Sequence, residues 1–188
     1  MRIHSLLLAV VLSLTGSACT AQQPAPQQHA DAEQYKPTAT IRDIMDSMVD
    51  PSADAVWESV ASYVTIKGIE EKAPRNDEEW NEVQRKAITL LEATNLLLIP
   101  GRHVAKPGEK ADDPKIELAP DQIEKMINED RAAWRALAGG LYDTIPPVVA
   151  AIDKRDAEAL LNTGSAIEMA CEKCHLKYWY PGDDKAAH

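Results

Sequence analysis

Apolar residues recur at offsets of three and four along four long stretches of this chain, the signature of amphipathic helices. In "TATIRDIMDSMV" the face is Ile41, Ile44, Met45, Met48 and Val49. "DPSADAVWESVASYVTIKG" restarts the pattern, with Asp50 to cap, Pro51 suited to a first helical turn, and Val56, Trp57, Val60 and Val64 on the stripe. The spacing predicts one kinked helix or two consecutive ones over about 40–67, stopped by Gly68. A second helix opens at Asn76 or Asp77 with acidic residues in its first turn and stops at Pro100-Gly101. Its stripe runs through Trp80, Val83, Ala87, Leu90, Leu91, Thr94, Leu97 and Leu98.

The polar connection "RHVAKPGEKADDPKIELAP" holds three prolines and no periodicity, and reads as loop. A third helix follows, with Ile123, Ile127, Trp134, Leu137, Leu141 and Ile145 inward and bends expected at Gly139-Gly140 and Pro146-Pro147. The fourth begins near Asp156 and carries Leu160, Leu161, Gly164, Ile167, Cys171, Cys174 and Tyr178 on one face. No stretch alternates with the period of two that a half-buried strand requires, and no internal repeat is present. Four amphipathic segments joined by loops predict an all-α four-helix bundle over residues 38–182.

Composition agrees. The 188 residues suffice for one domain with a full core, and the scarcity of glycine (8) and absence of phenylalanine lean towards helix. The first residues stand apart. "MRIHSLLLAVVLSLTGSACT" has a basic start at Arg2, an apolar run from Leu6 to Leu14 and small residues around Ala18, the three parts of a secretory signal peptide. That run is too short for a permanent membrane helix. The expected location is periplasmic or otherwise exported, which is an oxidising environment. "TGSAC" also resembles a lipoprotein signal ending at Cys19, although Gly16 stands where leucine is usual; a plain cut after Ala18 or Ala21 is the alternative. Residues 19–37, rich in Pro and Gln, read as a solvated tether that a lipid on Cys19 would use to hold the domain off a membrane, and residues 183–188 read as a tail.

Removing residues 1–18 takes away Arg2 and no acidic residue, moving the formal charge from −10 to −11. So acidic a surface argues against nucleic acid and suits a partner protein with a basic docking patch. Membrane association is expected only through a lipid on Cys19, and pairing into a homodimer stays open.

The chemistry concentrates in "MACEKCHLKYWYP", which holds two of the three cysteines. On a helix, Cys171 and His175 lie one above the other, with Cys174 beside them. C-x-x-C-H is the attachment signature of c-type haem, with two thiols for the vinyl groups and the next imidazole for the iron. A shuffled chain of this composition would carry it about once in a thousand. Three other readings stay open: a Cys171–Cys174 disulfide, zinc shared with His175 and a fourth ligand such as His103, or buried small residues with His175 satisfied at the helix end. Gly164, Ala166 and Ala170, one to two turns earlier, would keep bulky side chains clear of a macrocycle or permit close helix packing.

With these residues in place, the chain resembles the class II c-type cytochromes, the cytochrome c′ group. The resemblance covers about residues 38–182, and its anchor is "CEKCHLKY", which matches the family's C-x-x-C-H-x-x-[YF] with Tyr178 in the aromatic position. It departs at Trp179, where the family often has a basic residue, and in a longer 100–119 loop and tail. The resemblance implies a four-helix bundle with one covalent haem c near the end of the last helix. It also implies that the sixth iron position decides function: a methionine on the first helix makes an electron carrier, and an apolar residue there leaves a site for nitric oxide or carbon monoxide. Arg42 before Met45 approximates the family's low-spin pattern, which makes Met45 the expected ligand and Met48 the reserve. The resemblance further suggests Arg42 for a haem propionate, the bland reading being a solvent-facing charge. Tyr178 would pack on the ring edge or simply close the bundle. Core filler is the ordinary role of two such methionines.

Electron transfer by an exported mono-haem cytochrome is therefore the leading expectation, with gas binding at an open distal site as the alternative. No His–Arg pair stands on the first helix to cleave a peroxide bond, so no enzyme activity is expected.

Overall fold

Thr40 opens the first helix by a reciprocal cap, its hydroxyl accepting from the Asp43 N–H and the Asp43 carboxylate accepting from the Thr40 N–H, both at 3.0 Å. The computed structural model describes residues 35–182. The leader at 1–18, Cys19, the tether as far as residue 34 and the tail 183–188 lie outside the described residues.

The elements in order are α1 (Ile41–Ile44), a π-turn (Met45–Val49), α2 (Asp50–Trp57), β1 (Ala61–Thr65), β2 (Gly68–Lys72), α3 (Asp77–Leu97), α4 (Pro120–Glu129), α5 (Arg131–Asp153) and α6 (Ala157–Tyr178). The first predicted helix is thus α1 and α2 joined through the π-turn, closed by the Asp50 N–H donating to the Met45 carbonyl. An i→i+5 turn holds one residue more than an α-turn. That is why Ile44 and Val49, five apart, are both buried.

Three expectations are corrected. The first is the all-α reading. The chain leaves the helix at Trp57 and forms an antiparallel hairpin in which Val64 pairs with Ile69 and Thr65 with Gly68. Ile66 and Lys67 make the two-residue loop, and the positive φ (121°) falls on Gly68, which has no Cβ to oppose it. Val64, expected on the buried stripe, is 90 % exposed. Neither face of this hairpin is covered, so nothing imposes the alternation that marks a half-buried strand.

The second concerns the third predicted helix. It breaks at Asp130, whose backbone is non-helical and whose carboxylate caps α5 by accepting from the Ala133 N–H at 2.9 Å. α5 then runs unbroken through Gly139-Gly140 and Pro146-Pro147. Both prolines are exposed, flanked by the buried Ile145 and Val148, so the carbonyls they leave unpaired belong to the solvent side. The third is Leu161, placed on the core stripe by its spacing but exposed at the start of α6.

Most of the remaining stripe residues are buried as expected, and Val104, Val148 and Ile152, which lie outside the predicted stripes, join them. Ile44, Leu90, Ile123, Ile145, Leu160 and Ile167 are fully buried side chains from the first helix, α3, α4, α5 and α6. α5 packs against both α3 and α6, and α2 against α3. Among the described residues no helix is long and apolar enough to cross a membrane.

The 98–119 connection is tied down and covers one end of the bundle. Ile41 N–H donates to the His103 carbonyl at 2.9 Å, Arg42 N–H to Val104 at 3.0 Å, and Leu118 N–H to Trp179 at 2.8 Å. The guanidinium of Arg102, buried beneath it, donates to the carbonyls of Leu96 and Ala39. A buried charge so bonded to backbone joins the end of α3 to the approach to α1.

Candidate cofactor site

Asp156 starts α6 by accepting from the Ala159 N–H at 2.9 Å, and the helix then continues to Tyr178. Cys171, Cys174 and His175 therefore lie on its last two turns, as their spacing requires. All three are half-buried, and the two thiols are not bonded to one another.

They line one small, almost wholly apolar chamber of about 50 Å³ together with Met45, Trp134, Tyr178 and Trp179. Its remaining walls come from Ile41, the last turn of α3 at Leu97, α4 at Ile123 and Ile127, and the first half of α5. The site thus sits at the end of the bundle that the 98–119 connection covers. Burial pushes the Cys171 thiol up to about 11, with the Asp50 charge adding to the effect, and the Cys174 thiol up to about 12. Burial also lowers His175, against the opposing pull of the Asp50 and Glu172 carboxylates. A neutral imidazole is the form that binds a metal.

The chain turns sharply after α6 and folds aromatic rings onto His175. Trp179 and Tyr180 N–H groups both donate to the His175 carbonyl, at 2.7 and 3.1 Å. Their rings stand 6.3 and 5.9 Å from the imidazole, the second edge-on. The Tyr180 hydroxyl donates to a Glu172 oxygen at 2.8 Å. Tyr178 is buried and packs edge-to-face on Trp134 at 5.4 Å, while Trp134 Nε1 donates to the Leu97 carbonyl at 3.1 Å. The Tyr178 hydroxyl has no hydrogen-bond partner among the described residues.

Of the two methionines, Met45 reaches the chamber and Met48 does not; Met48 packs against the core elsewhere. The π-turn is the reason, because residues three apart no longer share a face in a turn that holds an extra residue. Arg42 is not a solvent-facing charge. Its side chain is 14 % exposed, with the guanidinium 5.7 Å from the Trp179 ring, one nitrogen donating to the Lys110 carbonyl at 2.9 Å and the other 3.7 Å from Asp112. It stands behind a lining residue of the chamber. His103 is outside, bonded to Glu124 at 3.0 Å.

Trp179, Trp134 and Ala138 were not singled out as site residues by sequence reasoning, yet all three line the chamber. The "YWYP" run directly after the motif was the one available signal. Gly164 has another use than clearing space for a macrocycle, since the Trp57 indole packs against it. Ala166 lines a separate surface depression beside Met169 and Lys173. Ala170 does line the chamber.

The donor set fits a c-type haem in its chemistry: two thiols, a neutral imidazole, a thioether and an apolar lining with an orphaned hydroxyl. Its size does not yet fit. Pockets for organic ligands run from about 300 to 1,000 Å³, so the walls must part to admit a macrocycle. Zinc fits worse, for among the described residues no group of three or more His, Cys, Asp or Glu side chains is placed to hold a metal ion. A larger depression of about 590 Å³ beside His103, Lys106 and Glu124 has no such convergence of donors.

No family model matches the chain, and no curated protein does. Solved structures do. One described as "cytochrome c′" is 19 % identical, with 75 % of this chain and 98 % of that one covered and a TM-score of 0.46. A nitric oxide complex of a variant of cytochrome c prime from Alcaligenes xylosoxidans is 16 % identical over 76 % of this chain and 97 % of that one, with a TM-score of 0.45. A second variant of that protein, ferrous and with bound NO, is 18 % identical over 76 % and 98 %, also with a TM-score of 0.45.

Proposed function

We propose that this chain is an exported c-type cytochrome of the cytochrome c′ kind, holding one covalent haem and serving as an electron carrier, not a catalyst. The observation that carries the reading is that Cys171, Cys174, His175 and Met45 line one apolar chamber. When bound, the haem supplies a one-electron iron couple whose potential a His/Met pair raises.

The chain's own residues divide the work. Cys171 and Cys174 are the attachment points. His175 offers a neutral ring nitrogen, and the rings of Trp179 and Tyr180 limit its rotation. Met45 offers sulfur from the first helix. Trp134, Ile123 and Ile127 keep water from the chamber. Arg42 places a positive charge one layer out, suited to a cofactor carboxylate. The net charge of −10 favours a redox partner with a basic patch. The leader at 1–18 provides for export, and a lipid on Cys19 would add an anchor.

Gas binding is the second reading, and the rest of the lining favours it. Apart from Met45 the walls outside α6 offer no iron ligand, so a Met45 sulfur that only lines the chamber would leave an apolar place for nitric oxide or carbon monoxide.

One set of absorption spectra on the exported protein separates the readings. The expected result is a haem that resists extraction into acidified organic solvent, a low-spin spectrum indifferent to carbon monoxide, and a methionine charge-transfer band that Met45→Ala abolishes. A high-spin spectrum that shifts with carbon monoxide selects gas binding. Unmodified thiols at Cys171 and Cys174 by mass analysis overturn both.

A further inference from the structure

Four of the large apolar side chains exposed among the described residues fall within seven positions on the hairpin: Tyr63, Val64, Ile66 and Ile69. Val64 and Ile69 are cross-strand partners and share a face. Ile66 stands in the loop ahead of them, fully exposed at 105 %. Single exposed apolar residues are ordinary, but a cluster at a projecting tip marks an interaction site.

Charge narrows the partner. From Ser59 to Ile69 the only charged side chain is Lys67, a cation at the tip of a chain with formal charge −10. Glu71 pairs with Ser62 on the bundle side of the tip, while Glu70, paired with Tyr63, has its carboxylate held by the Thr65 hydroxyl at 3.2 Å, just behind Ile66 and Lys67. An aliphatic tip, a lysine among the aliphatics and a tyrosine just behind them match the headgroup layer of a bilayer. We infer that the hairpin tip docks on a phospholipid surface, with Val64, Ile66 and Ile69 in the headgroup–acyl boundary and Lys67 on lipid phosphate. Glu70 and Glu71 limit the depth of entry.

Position argues against two other occupants. The hairpin joins the end of α2 to the start of α3, and its base adjoins Ala157 and Leu161 at the start of α6. The cofactor chamber lies at the opposite end, beside Leu97 at the far end of α3 and Cys171–Trp179 at the far end of α6. A helix of α3's length separates them by about 30 Å, so a redox partner seated here would be remote from the chamber. A second copy seated on four side chains would fall short of the roughly 1,200 Å² that a stable interface buries. It would also bring Glu70 and Glu71 of two acidic chains together. On a lipid surface the chamber end faces away from the membrane. The inference requires neither a haem nor a lipid on Cys19.

The test is co-sedimentation of the exported chain with vesicles of phosphatidylcholine and phosphatidylglycerol, in a Cys19→Ser background that removes the acylation site. Binding should fall about tenfold or more in Ile66→Asp, and by less in Lys67→Gln. Circular dichroism and melting should stay unchanged, since the tip lies outside the core. Ile66→Thr, which keeps the β-branch, should also weaken binding and guards against an unravelled hairpin. Failure of the parent chain to sediment overturns the inference, and so does equal sedimentation of parent and both Ile66 variants. A dimer that Ile66→Asp splits, with no vesicle binding, overturns it in favour of a second copy.

Discussion

The indole nitrogen of Trp57 donates to the Gly164 carbonyl at 3.2 Å, and the same ring stands where a side chain at 164 would begin. A Cβ there would lie 3.2 Å from Trp57 Cδ1, tighter than ordinary packing. This contact locks the end of the first helical segment to the middle of α6. Gly164→Leu should lower stability by about 1–3 kcal/mol through overpacking. Trp57→Phe, which loses the hydrogen bond and the part of the indole packed on Gly164, should cost about 1–3 kcal/mol. Urea unfolding of both variants checks this.

Among the described residues the buried Tyr178 hydroxyl has no partner, and its chamber is almost wholly apolar. Tyr178→Phe should therefore stabilise the haem-free chain by about 1 kcal/mol, because an unsatisfied buried hydroxyl is removed. The measurement is a urea midpoint on chain produced without haem attachment. A loss of stability there would show that the hydroxyl is satisfied in the folded chain.

Met45 and Met48 should separate cleanly in the loaded protein. Met45→Leu should abolish the methionine charge-transfer band and open the iron to carbon monoxide, whereas Met48→Leu should leave both spectra unchanged. The same outcome for the two variants would contradict the facing imposed by the π-turn.

In the haem-free chain both thiols should be sluggish. Burial raises Cys171 from 9.0 to about 11, which lowers its thiolate fraction at pH 8 about a hundredfold, since only the thiolate is the nucleophile. Cys174, raised to about 12, should react more slowly still. Iodoacetamide labelling read by mass, folded against urea-unfolded, checks this. Exported protein should show no labelling at either position.

Asp43 should leave a mark on acid unfolding. Its bond to the Lys106 ammonium at 2.6 Å, followed by the Thr40 N–H, holds its carboxyl down at about 2 from an ordinary 3.8. A lowered carboxylate contributes stability that is complete above about pH 4 and is lost as the pH falls towards 2. Asp43→Asn should flatten the pH dependence of the urea midpoint in that window and change its slope little above pH 5. The pair also ties the start of α1 to the 98–119 connection, so the variant should raise hydrogen exchange at Ile41 and Arg42, whose N–H groups bond to that connection.

The sequence by itself determined where most of the helical segments run, most of the core and which residues share the last turns of α6. Caps at Asn76 and Asp156, stripes at offsets of three and four, and C-x-x-C-H on one helix are local facts, because they depend on the rise and turn of a single backbone segment. The first segment is capped at Thr40 and not at the expected Asp50, which lies inside the continuous helix. Tertiary structure decided the rest. It separated Met45 from Met48 through one π-turn, turned Arg42 inward over Trp179, assigned Gly164 to an indole from another helix, and left a hairpin with no covered face. Each of these depends on which surfaces meet across the bundle. Periodicity identifies the face a helix buries, but only packing fixes what lies against it.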